Sequence, residues 1–182
     1  MRAVVVYESM WGSTAAIAQT IARELERYGE VRLISVLEAR PNTVAGADLV
    51  VVGGPTHVHG MSRSGSRLST AETEAIPGAA TGPGVREWLR ELPDGRGTSA
   101  AAFDTRIDKP RWLVGAASGG IARGLRKHGY RMIVPGESFL VTDREGPLKA
   151  GEIERAAAWA EEVAKRVTEK VGAKVATPVA VA

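Results

Sequence analysis

The residues best suited to chemistry lie in three short stretches that carry hydroxyl, imidazole or carboxyl groups, and the first two also contain glycine. The first, residues 8–14, places three hydroxyls and a glycine between an apolar run and a helical pattern. Its candidate binding residues are Ser9, Met10, Trp11, Gly12, Ser13 and Thr14. At a strand-to-helix turn, hydroxyls and unpaired backbone N–H groups can surround an anion whose charge the helix dipole favours. The stretch therefore predicts a phosphate site.

Two other interpretations apply to this first stretch. Ser13 or Thr14 could simply cap the helix, as hydroxyl residues commonly do, and the stretch alone does not decide between a cap and a phosphate site. It contains no basic residue and no GxxxxGK[ST] pattern, which disfavours a P-loop nucleotidase.

The second stretch, residues 53–63, begins with two glycines and a proline that favour an extended turn. Its candidate binding residues are Pro55, Thr56, His57, Val58, His59 and Gly60. Two histidines two positions apart suit either metal ligation or stacking on a ring. A zinc site needs a third strong ligand, and the remaining histidine, His128, is far away in the sequence. We therefore favour a planar organic ligand and assign no metal ligand.

The third stretch, residues 103–112, is polar with alternating charge. Its candidate binding residues are Phe103, Asp104, Thr105 and Arg106. Asp104 could accept a hydrogen bond from the edge of a heterocycle while backbone N–H groups donate to it. The alternative is a solvated connection whose charges pair locally. No residue of the three stretches is assigned a catalytic acid or base role.

The elements that must position these stretches alternate between strand and helix. Strands are predicted at residues 2–7, 31–36, 48–53 and 98–103, with an interrupted fifth at 130–134 and 138–141; helices are predicted at 13–28, 85–92, 120–128 and 152–170. This alternation predicts a parallel sheet with right-handed crossovers and helices on both faces. Ligands of such sheets bind outside the carboxyl ends of the strands. The three stretches should therefore meet at one edge.

The length of 182 residues and 44% hydrophobic content fit a single domain, which we place at residues 1–171. Residues 60–83, rich in small and polar residues and without periodicity, are predicted to form a long mobile loop beside the third strand. Residues 172–182 are predicted to be a flexible C-terminal tail.

Composition excludes several functional classes. Cysteine is absent, so disulfides and thiol chemistry are ruled out and redox chemistry would need a bound cofactor. The first residues lack the features of a signal peptide, and no apolar run approaches the roughly 20 residues of a membrane span; we expect a cytoplasmic protein. The net charge of +3 is spread along a chain that is 5% aromatic, so nucleic acid is not an expected partner.

These residues resemble the flavodoxins and flavodoxin-domain proteins over about residues 2–170. The family's phosphate loop has Ser or Thr at its first, third and last positions and Gly at its fourth; Ser9, Gly12 and Thr14 match it, and Trp11 stands at the third position. Residues 53–57 look like the second flavin loop of the family and residues 103–106 like the third. Neither carries the usual stacking aromatic residue, so His57, Trp11 or Trp112 would take that role.

The resemblance implies an α/β flavodoxin-like three-layer sandwich with a five-stranded parallel sheet in the order 2-1-3-4-5. It implies non-covalently bound FMN and an electron-transfer function, with a redox partner protein or a small-molecule electron acceptor as partner. The sequence pI of about 9.4 contrasts with the strongly acidic electron carriers of the family, which indicates different partners.

Two alternatives stay open. One is a flavodoxin-domain oxidoreductase acting on a quinone or porphyrinogen-type substrate, resembling menaquinone-dependent protoporphyrinogen oxidase in the Gly-x-Thr pattern at Gly12. The other is an interaction module of the same fold without flavin. The oligomeric state stays open.

Overall fold

A computed structural model describes residues 1–57, 59–69, 71, 73 and 75–175. In this part of the chain there are seven strands: β1 (Arg2–Tyr7), β2 (Glu30–Ser35), β3 (Leu49–His57), β4 (Gly60–Met61), β5 (Ser99–Ile107), β6 (Arg131–Met132) and β7 (Glu137–Val141). The α-helices are α1 (Ser13–Leu25), α2 (Ser64–Leu68), α3 (Val85–Arg90), α4 (Arg111–Val114), α5 (Ala117–Lys127) and α6 (Glu152–Val175). Short 3₁₀ turns occur at Glu26–Tyr28 and Pro41–Val44.

The sheet is parallel in the order β2-β1-β3-β5-β6, with β7 also parallel to β5 and β4 antiparallel to β3. The predicted α/β class is confirmed. The predicted interrupted fifth strand corresponds to β6 and β7, which both pair with β5. The predicted count of five strands is too low for two reasons: the fifth strand breaks into two pieces, and β4 folds back on β3 as a short hairpin.

The core has two layers because the central strands bury both of their faces. On one face Val5 and Val51 pack with α1 and α6, in a cluster that also contains Trp159. On the other face Val6 and Val52 pack with α3 and α5. The uninterrupted apolar runs of β1 and β3 thus serve two helical layers, as in a three-layer sandwich.

The two central strands extend four residues beyond their predicted ends. β3 continues to His57 and β5 to Ile107, and their ladder pairs Gly53 with Phe103 and Pro55 with Thr105. Parts of the second and third polar stretches are therefore strand ends and not loops. Regular pairing fixes their backbone, so these side chains project from a rigid support.

The segment 60–83 contains more regular structure than its composition predicts, because β4 and α2 lie within it. Arg67 of α2 is only 2% exposed. Its guanidinium donates to the Ser62 hydroxyl and the Gly82 carbonyl and pairs with Glu87 at 3.0 Å. These contacts tie part of the segment to the body of the domain, and the mobility of the whole segment stays a prediction.

At the other end of the chain, α6 continues to Val175, into the flexible tail predicted at residues 172–182. Residues 176–182 of that predicted tail lie outside the described residues. Among the helices described, none has the length and apolar character needed to cross a bilayer.

Candidate functional site

The turn between β1 and α1 leaves backbone donors unpaired. Gly12, the residue before the helix, has φ +96°, a left-handed conformation that favours glycine. The Ser9 hydroxyl accepts hydrogen bonds from the N–H groups of Gly12 (3.2 Å) and Ala15 (3.3 Å). No hydrogen bond from the N–H groups of Ser13 and Thr14 is found within the described residues. Two donors at the positive end of α1 thus stay available to an anion.

The interpretation that Ser13 or Thr14 caps the helix is therefore wrong for their side chains. The Thr14 hydroxyl instead lies 2.7 Å from the Thr105 hydroxyl, which links this turn to the end of β5. The Ser13 hydroxyl lies beside Gly146, where a Cβ would come within 2.8 Å of it. The turn after β7 therefore adjoins the start of α1.

Side chains at the ends of β3 and β5 hold the start of α5. The Thr56 hydroxyl accepts from the N–H of Ala117 at 2.9 Å, and the Asp104 carboxylate accepts from the N–H of Ser118 at 2.7 Å. Asp104 is 0% exposed, and burial raises its pKa, while the hydrogen bonds from Ser118 act in the opposite direction. Asp104 thus contacts a helix and not a ligand cavity.

A cavity of about 360 Å³ lies at the carboxyl ends of β1, β3 and β5, within the size range of small-molecule sites. Most of the predicted binding residues line it: Ser9, Met10, Trp11, Ser13, Thr14, Pro55, Thr56, His57, His59, Thr105 and Arg106. The topology therefore brings the three stretches together at one edge of the sheet. Their role in binding stays a prediction.

The remaining predicted residues are placed elsewhere. Gly12 shapes the turn without lining the cavity, and Gly60 lines a second, neighbouring cavity. Phe103 is fully buried and packs against Phe139 and Trp159 in the core. Because β5 continues through Phe103 and Asp104, their side chains lie on opposite faces of the sheet and not in the cavity. Phe103 packs in the core on one face, and Asp104 contacts the start of α5 on the other. Val58 lies outside the described residues.

Two aromatic rings stand at the cavity wall. The planes of Trp11 and His57 are inclined by only 10°, with ring centroids 6.1 Å apart. The Trp11 indole N–H donates to the carbonyl of Thr73 at 2.8 Å, which fixes its orientation. Trp112, the third candidate for stacking, is 82% exposed and does not line the cavity, although its neighbours Leu113 and Val114 do.

Within the described part of the chain, two buried nitrogen atoms of the cavity wall have no hydrogen-bond partner. One is Nε2 of His57. Burial lowers the pKa of His57, and the positive charges of Arg67 and Arg144 lower it further, which favours the neutral imidazole. The other is Nε of Arg106, whose terminal nitrogen donates to the carbonyls of Ile107 and Lys109. Buried polar atoms are rarely left unsatisfied, so these mark positions where a polar ligand fits.

Sequence reasoning missed seven residues of the cavity wall: Ser66, Ser69, Ile107, Leu113, Val114, Val141 and Arg144. Arg144 matters most because it adds a cation to a site whose first turn has none. It lies in the turn after β7, which shares the ligand edge because β7 runs parallel to β5. That shared edge was the one available indication, since nothing in the local sequence marks Arg144.

Comparisons with known proteins agree with this architecture. The sequence pattern of the flavodoxin family matches residues 5–83, and no curated protein sequence matches the chain. Among solved structures, Flavodoxin 2 of Bacillus cereus is similar with a TM-score of 0.67 and 18% identity over 91% of this chain and 99% of that one.

Two further flavodoxins are similar at the same level. One, from the domain Archaea, has a TM-score of 0.62 and 19% identity over 92% of this chain and 99% of that one. The other, from Streptococcus pneumoniae, has a TM-score of 0.66 and 17% identity over 91% and 99% of the two chains. The chain therefore has the flavodoxin-like fold, and residues 5–83 match the flavodoxin family pattern.

Proposed function

We propose that this protein binds FMN non-covalently in the cavity at the carboxyl ends of β1, β3 and β5 and acts as an electron-transfer protein. The observation that carries the proposal is the start of α1, where the N–H groups of Ser13 and Thr14 have no partner within the described residues and adjoin the cavity. Such a helix start suits a phosphate monoester. FMN carries this group and riboflavin does not.

The residues of the cavity divide into two groups by chemistry. Ser9 shapes the phosphate turn, while Ser13 and Thr14 supply backbone and hydroxyl donors to the phosphate. Trp11 and His57 offer nearly parallel flat faces to a planar ring system, and the neutral state of His57 avoids an additional buried charge there. This arrangement separates a polar, anion-binding end from a flat, partly apolar end.

Bound FMN supplies one-electron and two-electron redox chemistry, and the protein adjusts its potential and access. Arg106 lines the cavity with a fixed positive charge, which favours a reduced, more negative flavin over the oxidised form. The basic sequence pI of about 9.4 favours acidic or anionic redox partners. We place the protein in the cytoplasm.

A second candidate function is an oxidoreductase that reduces or oxidises a small molecule, such as a quinone or porphyrinogen-type substrate. The specific observation in its favour is a second cavity of about 1110 Å³ that shares His57 and His59 with the first. A carrier needs only an accessible flavin edge, whereas an enzyme needs room for its substrate beside the flavin.

The two functions separate by turnover. The FMN-loaded protein would be reduced chemically and mixed either with cytochrome b5, an acidic protein electron acceptor that suits the basic pI, or with a soluble menaquinone analogue. The electron-transfer function predicts stoichiometric reduction of cytochrome b5 and no steady-state turnover of the quinone with a small-molecule reductant. Sustained quinone turnover would favour the enzyme, and failure of both reactions would contradict a redox function.

A further inference from the structure

A second cavity of about 1110 Å³ adjoins the proposed flavin site. It lies between the segment around β4 and α2, helix α3 and helix α5. His57, His59 and Ser66 line both cavities, so the two cavities are adjacent. A molecule bound in the second cavity would therefore lie beside the site proposed for FMN.

The wall of this cavity is strongly basic. Five cationic side chains line it and no acidic residue does: Arg63, Arg86, Arg90, Arg123 and Lys127. Within the described residues none of the five forms an ion pair. Glu87 and Glu8 act electrostatically on Arg86, but in the described part of the chain neither forms an ion pair with it.

Local helix electrostatics explain only part of this clustering. Arg90 and Lys127 lie in the last turns of α3 and α5, where the helix dipole favours cations. Arg63 precedes α2 and Arg86 lies in the first turn of α3, where the dipole disfavours them. Arg123 is in the middle of α5. The helix dipole thus does not explain the positions of three of the five cations.

Arg86 is fixed in the wall of the cavity. Its guanidinium donates to the carbonyls of Ser62 at 2.9 Å and Met61 at 2.8 Å, which joins α3 to the segment after β4. Burial lowers the pKa of Arg86, and the charges of Arg63 and Arg90 lower it further, while the carboxylates of Glu87 and Glu8 act in the opposite direction. Like charges held close together in a concave wall produce a positive potential that an anion would relieve.

We propose that the second cavity binds a small redox substrate through two or more carboxylate or phosphate groups, so that its reactive part lies toward the proposed FMN site. This inference rests on the proposed binding of FMN, and of the two candidate functions it favours the oxidoreductase. A small molecule fits better than an acidic protein because three elements surround a concave volume near the upper end of the size of small-molecule sites.

The test uses the full chain with saturating FMN, at low ionic strength. Binding of two probes, inorganic pyrophosphate and tricarballylate, would be measured by isothermal titration calorimetry. The two probes distinguish phosphate from carboxylate recognition, and saturating FMN keeps pyrophosphate from the start of α1. We expect at least one probe to bind, with an affinity that falls as salt rises.

Two matched double variants locate the binding. Arg90→Gln with Arg123→Gln removes two exposed cations of the cavity, whereas Arg23→Gln with Arg32→Gln removes two exposed cations on α1 and β2. We expect about a tenfold loss of probe affinity in the first variant and less than about a twofold loss in the second. An equal loss in both would overturn the inference.

If neither probe binds, the inference is overturned. This holds even if an acidic protein binds to the same surface. An FMN titration of the same samples keeps the two proposals separate. Both double variants should bind FMN as the unsubstituted chain does. A chain that binds the probes at Arg90 and Arg123 but not FMN would contradict the proposed function while retaining the anion site.

Discussion

The Ser9 hydroxyl has an unusual position for a capping group, because it reaches the start of α1 from three residues before the Gly12 that precedes the helix. This leaves the side chains of Ser13 and Thr14 free of capping bonds. The sequence pattern predicted that this turn surrounds an anion, but it could not assign the roles of three nearby hydroxyls. Those roles depend on the left-handed conformation of Gly12.

Replacing Arg144 with Gln tests the cation that sequence reasoning missed. Arg144 lines the cavity from the turn whose Gly146 adjoins Ser13. We expect the dissociation constant for FMN to rise about threefold to tenfold, because a charge contact with the phosphate is lost, and that for riboflavin to stay unchanged. Flavin fluorescence quenching measures both constants.

Arg23→Gln removes a remote exposed cation and serves as the control for that variant. An equal loss of FMN and riboflavin affinity in Arg144→Gln would contradict a phosphate contact and would indicate a contact with the ring.

Replacing Asp104 with Asn tests the buried carboxylate at the start of α5. Burial raises the pKa of Asp104 in the folded state above its unfolded value, so between these two pKa values the folded protein binds more protons at this group than the unfolded chain does. The free energy of unfolding contributed by this group therefore falls as pH rises from the unfolded pKa through the folded one. Asn keeps an acceptor for the Ser118 N–H without the charge.

We expect Asp104→Asn to raise the free energy of unfolding, relative to the unsubstituted chain, more at about pH 7 than at about pH 4. Urea unfolding at both pH values measures this difference. Asp108 provides a control of opposite sign, because a hydrogen bond from Lys149 lowers its pKa. An effect of Asp104→Asn that is independent of pH would contradict the assignment.

At the scale of elements, the extension of β3 and β5 decides which predicted residues reach the cavity. The sequence patterns predicted that β3 ends at Gly53 and that β5 ends at Phe103, where glycine and polar residues follow the apolar runs. The ladder between them continues because both strands are central and each satisfies the other's backbone groups. Alternation along β5 then directs Asp104 to the start of α5 and keeps Thr105 at the cavity.

Replacing Gly53 with Ala tests the packing that makes this extension possible. A Cβ at Gly53 would lie 2.0 Å from the Phe103 ring, far inside van der Waals contact. We expect a loss of about 1–3 kcal/mol in the free energy of unfolding, measured in urea, because the buried ring has to move.

Gly65→Ala is the matched control, since a Cβ there meets nothing within 4 Å. Adding Phe103→Leu to Gly53→Ala should recover part of the loss by giving the new methyl group space. Unchanged stability of Gly53→Ala would contradict the close approach of the two strands.

At the scale of the whole molecule, the order of elements was predictable from the sequence and the shape of the second cavity was not. Unbroken apolar runs in β1 and β3 and helical periods in α1 and α6 gave the architecture, because they reflect burial on two faces. Segment 60–83 has no such periodicity, so β4 and α2 were missed. Their placement depends on the buried Arg67, whose partners lie as far away as Glu87.

The clustering of basic residues is a property of the whole folded molecule. A net charge of +3 indicated no particular surface, and only the fold brings Arg63, Arg86, Arg90, Arg123 and Lys127 around one cavity. The excess of basic residues thus has a location beside the proposed flavin site, which connects the sequence pI to the choice of an anionic redox partner.

The most direct test of the account is a fluorescence titration of the purified apoprotein with FMN, with riboflavin as the ligand that lacks a phosphate. We predict saturable quenching by FMN, with an affinity about tenfold or more above that for riboflavin, because the start of α1 contributes only when a phosphate is present. Equal affinity for the two would contradict the phosphate site. No binding on the order of tens of micromolar would contradict the flavin function and leave an interaction module.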